Sequence, residues 1–482
     1  MSQLQIHAND NVAVVLEPAQ GSEAGRGHKI ALTDIRIGEH IIKYGFPIGH
    51  ATVDVKAGQW VHTHNIKTNL GDILDYQYQP AQTVAAAANK SCPTFQGYRR
   101  PDGQVGVRNE VWVIPTVSCV NQNIRLIAEQ AASLCKDLPN LDGIFAITHP
   151  YGCSQLGDDH NTTQRLLASL VNHPNAGAVL VVGLGCENNH IAEFKKVLGD
   201  YDPERVKFLV AQEVEDEISV GIELAQELAR YASNTKREAC PASELVIGLK
   251  CGGSDGFSGI TANPLVGSFS DRLLVCGGST VLTEVPEMFG AETILMNRAI
   301  DRTVFDKTVQ LINDFKDYFV SHKQPIYENP SPGNKAGGIS TLEEKSLGCT
   351  QKGGTGQVTD VISYAGRVNK KGLTLLSAPG NDMVAATALA AAGCHIVLFT
   401  TGRGTPLGTV VPTIKVATNS ELFNRKTGWM DFDAGRLLTG ASMEQLTEEF
   451  LQHIIEVASG QATKAENMGF REIAIFKNGV TL

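Results

Sequence analysis

Several large protein classes are closed to this chain by what it lacks. No two of its ten cysteines form a CysXXCys pair, which excludes zinc-ribbon and ferredoxin-type ligand spacing. No window approaches the ~18 uninterrupted apolar residues of a membrane-spanning helix. The opening MetSerGlnLeuGlnIleHisAlaAsnAspAsn has neither the basic nor the apolar segment of a secretory signal. Positive charge is in deficit, with 41 Lys and Arg against 51 Asp and Glu for a net charge of −10, which argues against a non-specific nucleic-acid binder. The GlyXGlyXXGly fingerprint and a Walker lysine are both missing, so an NAD-dependent oxidoreductase or an ATP-binding enzyme is disfavoured. These absences point to a cytoplasmic protein with no membrane or nucleic-acid partner, its cysteines expected as reduced thiols rather than a disulfide frame.

What the chain holds in quantity is glycine, 48 residues of 482. That length exceeds one ordinary core and predicts two to four domains; 42% hydrophobic and 19% charged residues fit a loop-rich multidomain α/β protein. Residues 1–80 read as a small all-β domain, from β-branched runs at Asn11–Leu16, His40–Tyr44 and Gln59–His64 set apart by turn residues. The polar, Ala- and Gln-rich stretch Gln77–Lys90 predicts a linker over 81–97. From 98 to 240, strand-like Glu110–Pro115, Gly143–Thr148 and Ala178–Gly183 alternate with helical segments such as the amphipathic Ile124–Leu134. A second α/β unit, 241–482, carries apolar runs of parallel-strand type at Glu244–Lys250, Thr280–Glu284, Leu373–Pro379, Ile396–Thr401 and Thr413–Ala417, with a tightly packing helix at Ala385–Gly393. The hydrophilic span Ser321–Lys352 is too long for an idle connection and is expected to be functional or mobile.

Glycine gathers around Cys, His and acidic residues at five places: Ser118–Asn121, Tyr151–His160, Gly183–Asn189, Cys251–Gly256 and Leu347–Lys352. Glycine lets the backbone approach a ligand closely, and Cys, His and carboxylates span soft and hard metal ligands. Ligands of open parallel sheets bind beyond the carboxyl ends of the strands, so the five stretches are expected to converge on one catalytic pocket. Each has a plainer reading. His62 and His64 stand at i and i+2 of a predicted strand, both rings on one face, suited to a metal or a carboxylate or merely to the surface. In Tyr151–His160, Ser154 or Asp158 would cap a helix, but a cap does not call for Tyr, Cys and His together. CysGlyGlySerAspGly reads as an anion-cradling turn or as a tight turn. Glu284 and Glu287 read as metal ligands or an acid/base pair, or as acids opening a solvated helix. Arg403, between Gly402 and Gly404, suits a bidentate carboxylate clamp, and Ala378–Asp382 ends another strand with polar groups of similar use. Cys119, Cys153, Cys186, Cys251 and Cys349 occupy polar or Gly-rich loops; Cys135, Cys276 and Cys394 read as packing residues; Cys92 and Cys240 flank linker-like sequence. A mononuclear site and a cluster built from dispersed cysteines both stay open.

The same stretches resemble the sugar-acid dehydratase family that contains the altronate and galactarate dehydratases and the sulfolactate sulfo-lyases. The likeness runs the length of the chain, through His7–Val14, Lys43–Gly49, Val61–Asn65, Tyr98–Glu110, Tyr151–His160, Gly183–Asn189, Cys251–Pro264, Glu328–Gly338 and Thr401–Pro406. It implies an N-terminal SAF-type β-clip domain, a dimerising middle domain, and a Rossmann-like C-terminal domain with a metal site. It also implies Fe2+, replaceable by Mn2+, a homodimer, and an aldonic-acid substrate: D-altronate dehydrated to 2-dehydro-3-deoxy-D-gluconate in hexuronate breakdown, with galactarate or another hexarate or hexonate as the alternative. Such chemistry needs a base for the C2 proton, an acid for the leaving hydroxyl and a cation at the carboxylate. On that reading His62, His64 and His160 take acid/base roles and Arg403 clamps the carboxylate. Asn65, Gln155, Gly253, Ser254 and Asn381 contact substrate, and Cys251, Asp255, Glu284, Cys153 and Cys186 contact metal. Rival readings are a hydro-lyase with an iron–sulfur cluster on three loop cysteines, and a non-catalytic sugar-acid-binding protein.

Overall fold

A computed structural model describes residues 2–71, 76–81 and 91–482. Of the linker expected over 81–97, residues 82–90 lie outside the described residues, and 94–97 open the strand Thr94–Arg99, which pairs with Arg237–Pro241. The N-terminal part is two small antiparallel sheets, one of Ser2–Leu4, Val12–Glu17, Lys29–Ala31 and Trp60–Val61, the other of His40–Lys43, Phe46–Ala51 and Ile66–Lys67. The hairpin between His40–Lys43 and Phe46–Ala51 closes on Tyr44 and Gly45, both at positive φ, the geometry that a two-residue turn needs to match strand twist.

Two parallel sheets follow. The middle sheet runs in the order Gly143–Ala146, Glu110–Pro115, Ala176–Gly183, Val206–Val210, all strands parallel. Every residue of Glu110–Pro115 and Ala176–Gly183 is buried, as continuous apolar runs covered by helices on both faces should be. The larger sheet has seven parallel strands in the order Val358–Ile362, Gly372–Leu376, Ser279–Leu282, Val246–Cys251, Ile396–Thr401, Thr413–Ala417, Phe432–Asp433. In both sheets the chain first winds one way and then the other, so each has a switch point. It falls between Glu110–Pro115 and Ala176–Gly183 in the middle sheet, and between Val246–Cys251 and Ile396–Thr401 in the larger one. Ligand crevices open beyond such points because the flanking loops diverge there.

Helix Gly157–Val171 of the middle unit packs on helix Asp382–Ala391 of the C-terminal unit. Just past their ends, His173 Nε2 meets the Cys394 carbonyl at 3.2 Å and Asn175 Nδ2 donates to the His395 carbonyl. The two helices therefore run the same way, and the carboxyl ends of both sheets lie at the same end of the molecule. The N-terminal sheets dock on the C-terminal unit through Gly27, which abuts Gly256 and Gly338, and through Lys29 and Lys43, both paired with Glu344 at 2.8 and 2.7 Å.

Four expectations change. Cys92 and Cys276 form a disulfide, with Cα atoms 5.4 Å apart and 184 residues between them; eight cysteines remain free, and Cys276 is no mere packing residue. No sequence spacing announces a bridge between a linker edge and a helix end so distant. Neither Ser154 nor Asp158 caps Gly157–Val171: the cap position is Leu156, because Ser154 turns away at φ 61 and its carbonyl accepts the Leu482 amide. The strand expected over Gln59–His64 stops at Val61, where Asn65 Oδ1 captures the His62 amide and starts a turn. Ser321–Lys352 is not structureless, since it contains helices Pro332–Ala336 and Leu342–Cys349, the latter buried at every residue. No helix of the described residues is long and apolar enough to cross a membrane.

Candidate active site

At the switch point of the larger sheet, strand Val246–Cys251 delivers Lys250 and Cys251 into a buried polar cluster. Cys251 Sγ lies 3.0 Å from Glu287 Oε2 and 3.3 Å from Cys349 Sγ, and Cys349 Sγ lies 3.2 Å from the same Glu287 oxygen. The other Glu287 oxygen pairs with Lys345 at 2.7 Å. Lys250 Nζ bridges Glu284 at 2.5 Å and Asp382 at 2.9 Å, and Lys352 stands 3.7 Å from the second Glu284 oxygen. Glu284 itself is fully buried at φ 67, ψ 60, a left-handed conformation that a non-glycine residue adopts only where its surroundings force it. Every member is buried except Asp382, whose side chain is 40% exposed and marks the mouth.

Burial alone would raise Glu287, but Lys345, Lys352 and Lys250 outweigh it and hold its carboxyl down to about 2. Burial and the Glu287 charge push Glu284 up against the pull of Lys250 and Lys352. The hydrogen bond to Cys349, then burial, drive the Cys251 thiol well above its ordinary value. Three lysines face three carboxylates here, so their charges balance. A divalent ion that displaced the two thiol protons would preserve that balance, and Cys251, Glu287 and Cys349 bring three ligand atoms within 4.8 Å of one another. Two sulfurs and one oxygen with coordination positions to spare fit a thiophilic divalent ion of catalytic type.

The turn after Cys251 separates this cluster from a second feature. A Cβ on Gly252 would meet the Asp382 carboxylate at 2.6 Å, and one on Gly253 would touch Arg403, so only glycines allow Asp382 and Arg403 to flank the same turn. The Arg403 and Gly402 amides bond to the Gly253 carbonyl, fixing one loop to the other. Arg403 is exposed in a cleft of about 350 Å³, shared with Asp255, Gly337, Asn419, Arg425 and, from the N-terminal domain, Arg26. Arg26 and Arg403 each stand between two glycines, in Gly25–Gly27 and Gly402–Gly404. The shared GlyArgGly sequence is the one local signal that links the two.

The remaining site residues divide among several places. Asp255 is no ligand of the Cys251 cluster. Its carboxylate accepts from Ser258, Phe257 and Thr418, with Asn419 close by, and packs against Gly402. Ser254 Oγ is buried without a partner, and Asn381 caps helix Asp382–Ala391. His62 is buried behind the cleft wall, Nδ1 3.0 Å from Ser340 Oγ. Lys29 donates to that hydroxyl at 2.8 Å, which leaves the hydroxyl proton for His62 Nδ1 and puts the ring proton on Nε2. Burial and Lys29 lower His62 to about 4, so it is neutral. His64 is exposed, and both rings lie against Trp60 rather than sharing an open strand face. Asn65 spends its side chain on the His62 amide and the Trp60 carbonyl. His28, unread in the sequence, reaches the Ala336 carbonyl at the cleft edge.

Cys153, Gln155, His160 and Cys186 belong to the middle sheet. No hydrogen bond or ion pair among the described residues joins Tyr151–His160 to Cys251–Gly256. The single expected pocket is therefore two loop clusters, one per sheet, because each parallel sheet gathers its own loops at its own switch point.

Comparison with known proteins covers the whole chain. Family models for the D-galactarate/altronate dehydratase C-terminal domain, the D-galactarate dehydratase/altronate hydrolase second domain and the altronate/galactarate dehydratase SAF domain match residues 242–481, 97–233 and 1–69. Altronate dehydratase of Escherichia coli (strain K12) is 56% identical, with 100% of both chains covered. Altronate dehydratase of Bacillus subtilis (strain 168) is also 56% identical, over 99% of both. Galactarate dehydratase (L-threo-forming) of Escherichia coli is 33% identical, over 98% of this chain and 96% of its own.

Proposed function

Because the chain belongs to the D-galactarate/altronate dehydratase family, we propose that it is a hydro-lyase removing water from D-altronate to give 2-dehydro-3-deoxy-D-gluconate. The observation that carries the substrate is 56% identity, end to end, to two altronate dehydratases, against 33% to a galactarate dehydratase. The site chemistry agrees with an anionic substrate that must lose a proton beside its carboxylate.

Arg403 and Arg26 receive the carboxylate in the cleft, as charge-assisted hydrogen bonds from guanidinium planes do. Asp382, the one carboxylate of the cluster at its mouth, takes the C2 proton, and Lys250 holds it in place from behind at 2.9 Å. Departure of the C3 hydroxyl with a proton yields the enol, which becomes the 2-keto acid as a proton returns to C3. Cys251, Glu287 and Cys349 would hold a divalent ion, ferrous iron in this reading, and once bound it would supply Lewis-acid stabilisation of the growing negative charge. Lys250, Lys345 and Lys352 balance the carboxylates of Glu284, Asp382 and Glu287 that they hold in place. His62 and His28 act as positioning residues for the 336–340 wall. The domain division 1–80, 98–240 and 241–482 and a cytoplasmic homodimer belong to the same reading; light scattering measures the dimer.

The test is 2-keto acid formation from D-altronate and from galactarate with ferrous iron under reducing conditions. Asp382→Asn should lower kcat by about 10²–10⁴-fold with little change in KM. Turnover of galactarate but not altronate would overturn the substrate assignment, and an unchanged kcat would remove Asp382 as the base.

A further inference from the structure

The middle sheet has a loop cluster that the dehydration reading leaves unused. Three neighbouring strands, Gly143–Ala146, Glu110–Pro115 and Ala176–Gly183, are each followed at the carboxyl end by a loop with one cysteine: Cys153, Cys119 and Cys186. All three are free and exposed. The loops are tied to one another: Ser118 N donates to the Tyr151 carbonyl at 2.9 Å and Asn189 N to the Gly152 carbonyl at 3.1 Å. Ser154 N donates to Asn188 Oδ1 at 3.0 Å. Gly152, at φ 103, passes so close to the first loop that a Cβ would lie 1.9 Å from the Thr116 carbonyl oxygen. This is the switch point of the middle sheet, where a bound group is expected.

Two observations point to a missing occupant. Gln155 Nε2 and Asn189 Oδ1 are buried with no hydrogen-bond partner, although the other end of each amide braces the loops; native proteins rarely leave such atoms unmatched. The buried carboxylates are consumed, Glu187 by Thr116 Oγ1 and the Leu184 and Gly185 amides and Asp159 by the Asn478 and Gly479 amides, which leaves the three thiols as the soft ligands of these loops.

We infer that Cys119, Cys153 and Cys186 together hold an iron–sulfur cluster at the carboxyl end of the middle sheet, separate from Cys251, Glu287 and Cys349. Thiolate-only donors select zinc or iron–sulfur chemistry. One ion at ~2.3 Å from each sulfur would need the sulfurs about 3.8 Å apart. Among the described residues only Cys251, Glu287 and Cys349 gather three ligand atoms within 4.8 Å. A cluster in which each cysteine binds a different iron spans the wider spacing, and three cysteines on four irons leave one iron open to an oxygen ligand. Helices Gly157–Val171 and Asp382–Ala391 run alongside in the same direction, which puts this site at the same end of the molecule as Asp382.

The inference does not depend on the substrate assignment. The full chain would be purified anaerobically, reconstituted with ferrous iron and sulfide, and measured for iron, acid-labile sulfide and electron paramagnetic resonance after reduction. About four acid-labile sulfides per chain are expected, with about four iron beyond any held by Cys251, Glu287 and Cys349; the sulfide should fall at least ~5-fold in Cys119→Ser, Cys153→Ser and Cys186→Ser but not in Cys349→Ser. Unchanged thermal midpoints in the three exposed-cysteine variants would show that the fold survives. Absence of acid-labile sulfide from the wild type, or a full cluster in the triple variant, overturns the inference.

Discussion

Lys250 and Glu284 form an ion pair beyond the reach of solvent, 2.5 Å from Nζ to Oε1 with both side chains 0% exposed. The second Glu284 oxygen accepts the Cys251 amide at 2.9 Å, so one strained carboxylate fixes both the lysine and the first residue of the ligand turn. Removing one partner leaves the other charge buried and uncompensated. Lys250→Met is expected to destabilise the protein by about 3–5 kcal/mol, lowering the thermal midpoint by roughly 10 °C for a unit of this size. The double variant Lys250→Met/Glu284→Gln should recover most of that loss without recovering activity. Differential scanning calorimetry decides it, and a double variant no more stable than the single one would show that the pair is not isolated.

The guanidinium of Arg403 has a function that lysine cannot fill. Loss of a charge-assisted hydrogen bond costs about 1.5–3 kcal/mol, so Arg403→Ala should lower kcat/KM by about 10–150-fold, mostly through KM. Arg403→Lys should recover little, since an ammonium lacks the planar fork. Arg26→Ala should have a smaller effect of the same kind, because Arg26 is already shared with Glu421 at 3.5 Å. Steady-state kinetics on D-altronate read both; full activity in Arg403→Lys would contradict a bidentate clamp.

Acid should weaken the fold in two stages. Burial lowers His149 and His395 to about 4, and burial with Lys29 does the same to His62. The unfolded chain then binds these protons first, so stability falls as pH drops from about 6.5 to about 4. Glu287 and Glu344 are held down to about 2, burial opposing and neighbouring lysines prevailing. Their contribution is present above the unfolded carboxyl range and is lost as pH falls from about 4.3 toward 2. Thermal midpoints measured from pH 8 to pH 3 should show both slopes, and Glu344→Gln should flatten the second. A level profile between pH 6.5 and 4 would mean that the histidines are not buried neutral.

Docking of the N-terminal domain depends on two glycines meeting. A Cβ on Gly256 would lie 1.8 Å from the Gly27 carbonyl oxygen, a backbone contact that cannot move aside cheaply. Gly256→Ala should loosen the N-terminal domain and, with it, the Arg26 side of the cleft. Limited proteolysis should release a fragment near residue 70 several-fold faster than in the wild type, with KM raised. Equal proteolysis rates would mean that the interface rests instead on the Lys29 and Lys43 pairs with Glu344.

Much of the fold was legible because its signals are local. The expected bounds of Ile396–Thr401, Thr413–Ala417 and Glu110–Pro115 are those of the strands, since a strand buried on both faces is rich in apolar and β-branched residues. Cys251, Glu284 and Arg403 stood out as polar residues immediately after such runs. Asp382 and Lys352 lay in stretches that stood out without a role for their charges, and Lys250 and Lys345 did not stand out at all, because a charged residue in a sequence looks solvated until its partners appear. Those partners lie 34 to 132 residues away in the pairs of Lys250 alone.

The amino-acid sequence by itself determined the kind of protein: three units, two of them parallel α/β, with glycine-held polar loops at strand ends and the motifs of one enzyme family. Periodicity, turn residues and contiguous motifs are properties of neighbours along the chain. Which loops share a site was decided only by tertiary structure. Two sheets, each with its own reversal of winding, split five similar loops into a cluster of lysines, acids and thiols and a separate set of three cysteines. That division follows from strand order, which depends on contacts between distant residues and leaves no local mark.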